Sequence, residues 1–280
     1  MTIGSLEILT DDQSNKVVDL VDELEKVWIR RETEPMDFFT VGACTYIDGV
    51  ESLEKYDYHR ELMNPVLKKS FSWLYDIVIE KFSQILGSVE VVSDLGYPGF
   101  HIFGHKPGQV SHPFCVDMFQ VPLASLHFDH QYRQHTRYWE LFNEVDLDET
   151  FTFTIPVELP KNGGGLWLWN WKELGVDALL NFNFQDSDGT DIAFKKYMDD
   201  MDPREYKNAW KDKVSPILFE NDPIYDTKPM VLPYKVGRAC YHIGPIWHQI
   251  MPGYELSDTD RRITLQGHGV KCDGIWRLYF

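Results

Sequence analysis

The sequence predicts a mainly β fold with flanking helices at its N-terminal end. Residues 1–90 contain two stripes of apolar residues at three- and four-residue spacing, which is typical of amphipathic helices. From residue 91 onward, short runs of β-branched and aromatic residues alternate with Gly, Pro and Asp turns, as in sandwiches and barrels. A chain of 280 residues can form one large domain. We therefore expect a single domain over 1–280, in which 1–90 provide helical support and 91–280 contain the strand core.

The first helix is predicted over residues 11–31, where valines, leucines and a tryptophan recur at helical spacing between acids and lysines. Thr10 and Asp11 are both suitable N-caps for it. The run that follows, 37–48, is rich in β-branched and aromatic residues and predicts a strand.

The second helix is predicted over residues 64–87, where the apolar stripe is continuous. Asn64 is a suitable N-cap, and Pro65 would lie in the first turn, where a missing N–H is tolerated. Gly87 is expected to end the helix because glycine readily adopts the backbone conformation found after a helix.

The later apolar runs predict strands, each bounded by turn residues. These runs are 98–104, 123–129, 150–159, 165–170, 228–234, 236–243, 246–251, 262–268 and 275–280. The Asp-Gly pair before the last run is a good hairpin signal.

A polar, acidic stretch separates two groups of these strands, at about residues 171–228, and it contains a predicted helix around 191–213. We interpret it as an insertion between two core strands. Such an insertion can form a lid over an active site, or it can be a peripheral decoration, and the sequence leaves both interpretations open.

The charge balance excludes some partners. The formal net charge of −17 disfavours nucleic acid and anionic membrane surfaces. No apolar stretch approaches the roughly 20 residues that a bilayer span requires, and no secretory leader is visible. The four cysteines show no CxxC spacing, so we expect reduced thiols in a cytoplasmic protein. The oligomeric state cannot be predicted from these features.

The run Leu126-His127-Phe128-Asp129 is the clearest chemical signal. Residues two apart on a strand share a face, so His127 and Asp129 would place an imidazole beside a carboxylate. A second imidazole from a later strand would complete two histidines and one carboxylate, a set that binds Fe(II) and leaves coordination positions open. His242 and His248 are both candidates for this position.

The ordered set of motifs resembles the Fe(II)/2-oxoglutarate-dependent oxygenases, and most closely their prolyl-4-hydroxylase-like group. The resemblance spans roughly residues 95–270 and depends on four segments in order. These segments are His127-Phe128-Asp129, the strand from Thr152 to Leu159 with Gly163-Gly164-Gly165, Trp247-His248-Gln249, and Arg262-Ile263-Thr264.

The resemblance implies a double-stranded β-helix (jelly-roll, cupin-like) core. It implies that His127, Asp129 and His248 are the catalytic metal ligands for Fe(II). Arg262, helped by Thr264, would bind the distal carboxylate of 2-oxoglutarate, because a guanidinium pairs with a carboxylate through two hydrogen bonds. The activity implied is O2-dependent oxidation of an unactivated C–H bond, with release of succinate and CO2.

Neighbouring residues have weaker claims to a role at this site. Arg261 would face the opposite side of the strand from Arg262. His268 would share the face of Arg262, and either a pocket role or a structural role is open to it. His101 lies on a strand that in the family often contributes to the cosubstrate pocket.

The substrate class is not determined by the motifs. We expect a small molecule, such as an amino acid or a specialised metabolite. The alternatives are a residue of another protein, or a non-catalytic cupin-like metal-binding protein. Arg262 argues against the last, since metal binding alone needs no cosubstrate cation. Asp129 favours hydroxylation or another oxidation over halogenation, because related halogenases have a small residue at that position.

Overall fold

The computed structural model describes residues 2–33, 36–104, 123–127, 129, 136–162, 164–169, 183–186, 230–244, 246–251, 257 and 260–280. The predicted helix around 191–213 and most of the predicted insertion lie outside the described residues. Within them, no helix is long and apolar enough to cross a membrane.

Two helices of the N-terminal half pack on one sheet. The described helices are α1 (Asp11–Glu23), α2 (Asp48–Glu51), α3 (Leu53–Leu86) and α4 (Thr136–Trp139), with a 3-10 turn at Glu25–Val27. Apolar side chains of α1 and α3 form one buried cluster with residues from the large β-sheet. This cluster is the largest hydrophobic cluster of the described residues, and it contains the flanking helices that the predicted fold class includes.

The first predicted helix is correct at its start and too long at its end. Thr10 and Gln13 form a capping box, in which each side chain bonds the backbone N–H of the other residue. The helix stops at Glu23, and a new strand begins at Ile29. The Trp28 indole instead donates to the carbonyl of Val21 at 2.9 Å, which folds the chain back over the end of α1.

The second predicted helix begins eleven residues earlier than its sequence signals indicated. Its N-cap is Ser52, whose side chain accepts from the backbone N–H of Lys55 at 3.0 Å. Pro65 therefore lies inside α3, and Asn64 is not a cap. Glycine does end this helix, since Gly87 follows Leu86 with a positive φ of 84°.

Asn64 joins α3 to the chain that leads into the barrel. Its Nδ2 donates to the carbonyls of Ser93 and Leu95, at 3.2 and 2.8 Å, and its Oδ1 accepts from the N–H of Tyr97 at 3.0 Å. One buried amide thus satisfies three backbone groups. An amide is needed at position 64 because it both donates and accepts hydrogen bonds, and not because it caps a helix.

We expect Asn64→Asp to destabilise the protein by about 2–4 kcal/mol, because a carboxylate cannot donate to the two carbonyls and is left buried beside them. Urea unfolding would measure the loss as a lower midpoint with an unchanged slope. Asn15→Asp, the same change at an exposed position of α1, is the control and should shift stability by less than about 0.5 kcal/mol. Equal midpoints for the two variants would contradict the role given to Asn64.

The strands form two sheets. In chain order they are β1 (Thr2–Glu7), β2 (Ile29–Thr33), β3 (Met36–Val41), β4 (Val89–Val91), β5 (Gly99–Phe103), β6 (Leu123–His127), β7 (Val145–Glu158), β8 (Gly165–Trp169), β9 (Asn183–Asp186), β10 (Met230–Pro233), β11 (Arg238–Ile243), β12 (Trp247–Ile250), β13 (Arg262–Cys272) and β14 (Ile275–Tyr279). Each strand predicted after residue 91 has its counterpart here, whereas β1, β2, β4 and β9 were not predicted. The predicted strand 37–48 is shorter, because the chain leaves β3 at Val41 and turns towards α2.

The strand order is that of a double-stranded β-helix. The large sheet runs β2-β3-β5-β13-β7-β11-β1-β9, and the small sheet runs β10-β8-β12-β6. From β5 to β8 each strand changes sheet, β8 and β10 pair in the small sheet, and from β10 to β13 the chain alternates again. The eight central strands therefore wind as two interleaved four-stranded sheets, which confirms the predicted jelly-roll core.

The last hairpin also follows the prediction. Asp273 and Gly274 have positive φ values of 50° and 77°, as a two-residue turn of the primed type requires. The hairpin joins β13 to β14 and places the final strand beside β4 in the large sheet.

Candidate active site

Alternation along the large sheet separates a helix-facing side from a barrel-facing side. On β13, Ile263 and Leu265 belong to the core under the helices. The intervening residues point the other way because side chains alternate along a strand. The barrel-facing row on β13 is Arg262, Thr264, Gln266 and His268. The inside of the barrel is thus lined on this strand by polar groups, three of which are buried.

Asp129 is the centre of a buried polar cluster at one end of this lining. Its Oδ2 lies 3.8 Å from Nε2 of His248 and 3.9 Å from Nε2 of His242. The same oxygen accepts a hydrogen bond from the Thr152 hydroxyl at 2.8 Å and lies 3.7 Å from Nδ1 of His268. Three imidazoles and one hydroxyl therefore converge on one carboxylate.

The tautomers of two of these histidines are set by backbone carbonyls. Nδ1 of His248 lies 2.9 Å from the carbonyl of Ile246, and Nδ1 of His242 lies 3.1 Å from that of Gly244. A carbonyl only accepts, so each Nδ1 carries a proton, and in the neutral imidazole each Nε2 then has a lone pair. This is the arrangement of histidines that ligate a metal through Nε2.

Asp129, His242 and His248 together offer three ligand atoms within 4.8 Å of one another, and all three residues are buried. Imidazole nitrogens and a carboxylate oxygen suit a divalent transition metal such as iron or zinc. The chemistry and the spacing of the donor atoms fit a metal ion.

The structure brings Asp129 and His248 together, as the sequence motifs predicted. Residue 127 lies directly opposite His248 in the antiparallel pairing of β6 with β12, but the His127 side chain lies outside the described atoms. His242, which the sequence placed second to His248, reaches the same carboxylate from β11. The choice of the ligating histidines therefore stays a prediction.

Arg262 is a buried cation at the start of β13. It is 2% exposed, and its guanidinium carbon lies 4.3 Å from the centre of the Phe103 ring. Among the described residues, neither its Nε nor its Nη2 has a hydrogen-bond partner. Burial lowers the pKa of the Arg262 guanidinium to about 10, so the group is still charged at neutral pH. A buried charge without an anion is costly, and such a site fits an anionic ligand.

Thr264 provides a second polar group in the same row. It is 1% exposed, and its hydroxyl has no hydrogen-bond partner within the part of the chain that the structure describes. Two residues apart on β13, Arg262 and Thr264 share the barrel-facing side. A carboxylate of a ligand would satisfy both groups.

Arg261 is excluded from this role by its own partners. Its Nη1 and Nη2 donate to the two carboxylate oxygens of Asp22 at 2.8 and 2.9 Å, and its Nε donates to Glu158. It thus ties β13 to α1 on the outside of the barrel. Arg261 thus faces away from the barrel interior, whereas the role of Arg262 stays a prediction.

A second polar cluster joins His101 to Tyr46, a residue that the sequence motifs did not indicate. The Tyr46 hydroxyl bonds Nε2 of His101 and lies 3.3 Å from Oε1 of Gln266. Burial, reinforced by the nearby Arg262 charge, holds the pKa of His101 well below its usual value, so this imidazole is neutral. Tyr46 comes from the turn after β3, and no local pattern links that turn to the barrel.

Trp167 packs away from the barrel interior. Leu166 and Leu168 join the cluster between the two sheets, and Trp167 alternates to the opposite side, where it is 1% exposed. It is therefore a packing residue of the small sheet.

Comparisons with known proteins locate structural neighbours. No family model matches the sequence, and no curated protein does. An N-substituted L-amino acid dioxygenase from Burkholderia ambifaria AMMD is 13% identical, with 99% of this chain and 85% of that chain covered and a TM-score of 0.46. EvdO2 from Micromonospora carbonacea, solved with 2-oxoglutarate, is 12% identical, with coverages of 96% and 86% and a TM-score of 0.40.

A third neighbour is the non-heme alpha-ketoglutarate-dependent epimerase SnoN from nogalamycin biosynthesis. It is 10% identical, with 98% of this chain and 80% of that chain covered and a TM-score of 0.40. At such identities and TM-scores, no residue role transfers from these proteins to this chain. The assignment of the site depends on its own geometry.

Proposed function

We propose that this protein is an Fe(II)- and 2-oxoglutarate-dependent oxygenase of the prolyl-4-hydroxylase-like group. One observation supports it above others: a jelly-roll interior contains a His and Asp donor cluster and, on the same lining, the buried charge of Arg262 without a described anionic partner. A metal and a carboxylate ligand are both needed to satisfy these groups. A protein that bound only a metal would not need Arg262 and Thr264.

The metal ligands in this proposal are His127, Asp129 and His248. The pairing of position 127 with His248 supports it, because directly opposed residues of an antiparallel pair share a face. Asp129 follows two residues later with its carboxylate 3.8 Å from the His248 imidazole. His242 would lie next to this set, close enough to contact a ligand of the metal.

Arg262 and Thr264 would bind the distal carboxylate of 2-oxoglutarate. The guanidinium can donate two parallel hydrogen bonds, which fix the orientation of a carboxylate as well as its position. The Thr264 hydroxyl can donate a third. Burial of both residues excludes water, which strengthens each of these interactions.

Bound iron with 2-oxoglutarate would supply oxidation of an unactivated C–H bond by O2, with succinate and CO2 as co-products. The protein groups would position the reactants and exclude water. Since Asp129 provides a carboxylate ligand, oxidation is favoured over halogenation.

The proposed substrate is a small molecule such as an amino acid or a specialised metabolite. The proposal includes the single domain over 1–280, with an insertion at about 171–228, and the cytoplasmic location that the sequence predicts. The described part of that insertion, β9, pairs with β1 at the edge of the large sheet.

Anaerobic titration with Fe(II) and then 2-oxoglutarate tests the proposal. We expect a visible metal-to-ligand charge-transfer band that requires both additions, because chelation of Fe(II) by a 2-oxo acid produces it. Succinate in place of 2-oxoglutarate is the control and should give no band. If no band forms, and no succinate is produced from 2-oxoglutarate under oxygen, the proposed function is wrong.

A further inference from the structure

We propose that Thr152 and His268 are positioning residues that hold the carboxylate of Asp129 for the metal through a chain of hydrogen bonds. This inference rests on the proposed function, since it concerns a ligand of the proposed metal site. Neither residue would touch the metal or the substrate in this role.

The direction of the hydrogen bonds follows from the chemistry of the three groups. An ionised carboxylate only accepts, so the single proton of the Thr152 hydroxyl is donated to Oδ2 of Asp129, at 2.8 Å. The hydroxyl oxygen can then accept, and Nδ1 of His268 lies 3.2 Å from it. His268 must therefore have its proton on Nδ1, and the chain runs from His268 through Thr152 to Asp129.

The chain crosses the barrel from one sheet to the other. Asp129 follows β6, which ends the strand order of the small sheet, whereas Thr152 and His268 lie on β7 and β13 of the large sheet. Thr152 and His268 lie directly opposite each other in the pairing of β7 with β13, so their side chains are neighbours on one face of the large sheet. These hydrogen bonds therefore connect Asp129, at the edge of the small sheet, to two central strands of the large sheet.

The large sheet provides a firm support for this chain. Phe151 and Phe153, on either side of Thr152, are buried against the helices at 0% and 1% exposure. The His268 ring lies 5.6 Å from the Tyr279 ring and 6.0 Å from the Tyr46 ring, which limits its rotation. Thr152 and His268 therefore present their polar atoms to Asp129 in one orientation.

Metal affinity should depend on this support, because partners of a ligand fix its orientation before the metal arrives. Loss of such a partner typically weakens metal binding by roughly 10- to 100-fold. The conservative pair Thr152→Val and Thr152→Ser separates the hydroxyl from the shape of the side chain, since valine keeps the volume and serine keeps the donor.

Calorimetric titration with Co(II) alone, an air-stable substitute for Fe(II), gives the first readout. We expect Thr152→Val to bind Co(II) roughly 10- to 100-fold more weakly than wild type, and Thr152→Ser to retain wild-type affinity within about threefold. Thr154→Val is the matched control, a buried threonine on the same strand face two residues on, and it should bind as wild type does. Equal binding by Thr152→Val and wild type, or equal weakening by Thr154→Val, would overturn the proposal.

Substitutions of His268 test the other end of the chain. His268→Asn keeps an N–H near the position of Nδ1 and should bind Co(II) better than His268→Leu, which has no donor. If His268→Leu bound Co(II) more tightly than His268→Asn, the proposed chain of hydrogen bonds would be wrong. This test remains valid if one of the threonine variants fails to fold.

The metal-free protein gives an independent readout through nitrogen-15 NMR of labelled histidines. We expect the Nδ1–H tautomer at His268 in wild type and its loss in Thr152→Val. An Nε2–H tautomer in wild type would overturn the direction of the chain. The failures are distinguishable: wild type that binds no Co(II) refutes the proposed function, whereas wild type and Thr152→Val that bind equally refute only the positioning role.

Discussion

His248→Ala is expected to lose Fe(II) binding and all 2-oxoglutarate turnover. The substitution removes an Nε2 donor whose tautomer is set by the carbonyl of Ile246 and which lies 3.8 Å from the Asp129 carboxylate. Loss of a residue that hydrogen-bonds a metal ligand typically weakens metal affinity roughly 10- to 100-fold. Loss of a ligand itself should weaken Fe(II) affinity by more than that. Anaerobic equilibrium dialysis with Fe(II) measures it without requiring a known substrate.

His242→Ala is the matched comparison for this experiment. His242 has the same fixed tautomer and nearly the same distance to Asp129, but it comes from β11 and not from the strand paired with position 127. We expect this variant to retain Fe(II) binding within about tenfold. If His242→Ala lost iron and His248→Ala kept it, the distal ligand would be on β11 and the proposed ligand set would be wrong.

Arg262→Ala is expected to leave Fe(II) binding intact and to weaken 2-oxoglutarate binding strongly. Removal of one partner from a buried charge pair typically costs about 2–5 kcal/mol, or roughly 30- to 4,000-fold in affinity. The charge-transfer band provides the measurement, because it should reach the same amplitude at a much higher 2-oxoglutarate concentration. An unchanged half-saturation concentration would contradict the role of Arg262.

Two variants separate the charge of Arg262 from its geometry and from general stability. Arg262→Lys keeps a cation but not the bidentate fork, so its affinity should fall between those of alanine and wild type. Arg261→Ala removes a neighbouring arginine that binds Asp22 and Glu158 outside the barrel. We expect Arg261→Ala to lower thermal stability and to leave the 2-oxoglutarate affinity unchanged.

Local signals predicted most strands correctly because alternation and turn residues act over a few positions. The Asp-Gly turn before β14 and the Thr-Phe alternation of β7 are read directly from neighbouring residues. The predicted start of α3 at residue 64 was wrong because it, too, depended on local signals alone. Asn64 and Pro65 imitate a helix start, but the amide of Asn64 is required by the backbone of residues 93–97, a contact that no local pattern reveals.

By itself, the sequence determined the mainly β fold, the helical support and a short set of candidate residues that includes Asp129, His248, Arg262 and Thr264. The fold depends on the period of side chains along a strand or helix, whereas His248, Arg262 and Thr264 were indicated by the resemblance to the 2-oxoglutarate-dependent oxygenases. They required no knowledge of which strands pair.

Only the tertiary structure decided what surrounds those candidates. The pairing of β7 with β11 and β13 brings Thr152, His242 and His268 to Asp129, although they lie up to 139 positions away in the chain. The tertiary structure also places Arg261 beside Asp22 of α1, and it buries Arg262 inside the barrel. The physical reason is that strand register and sheet packing are set by distant parts of the chain, so the neighbours of a side chain are a property of the whole fold.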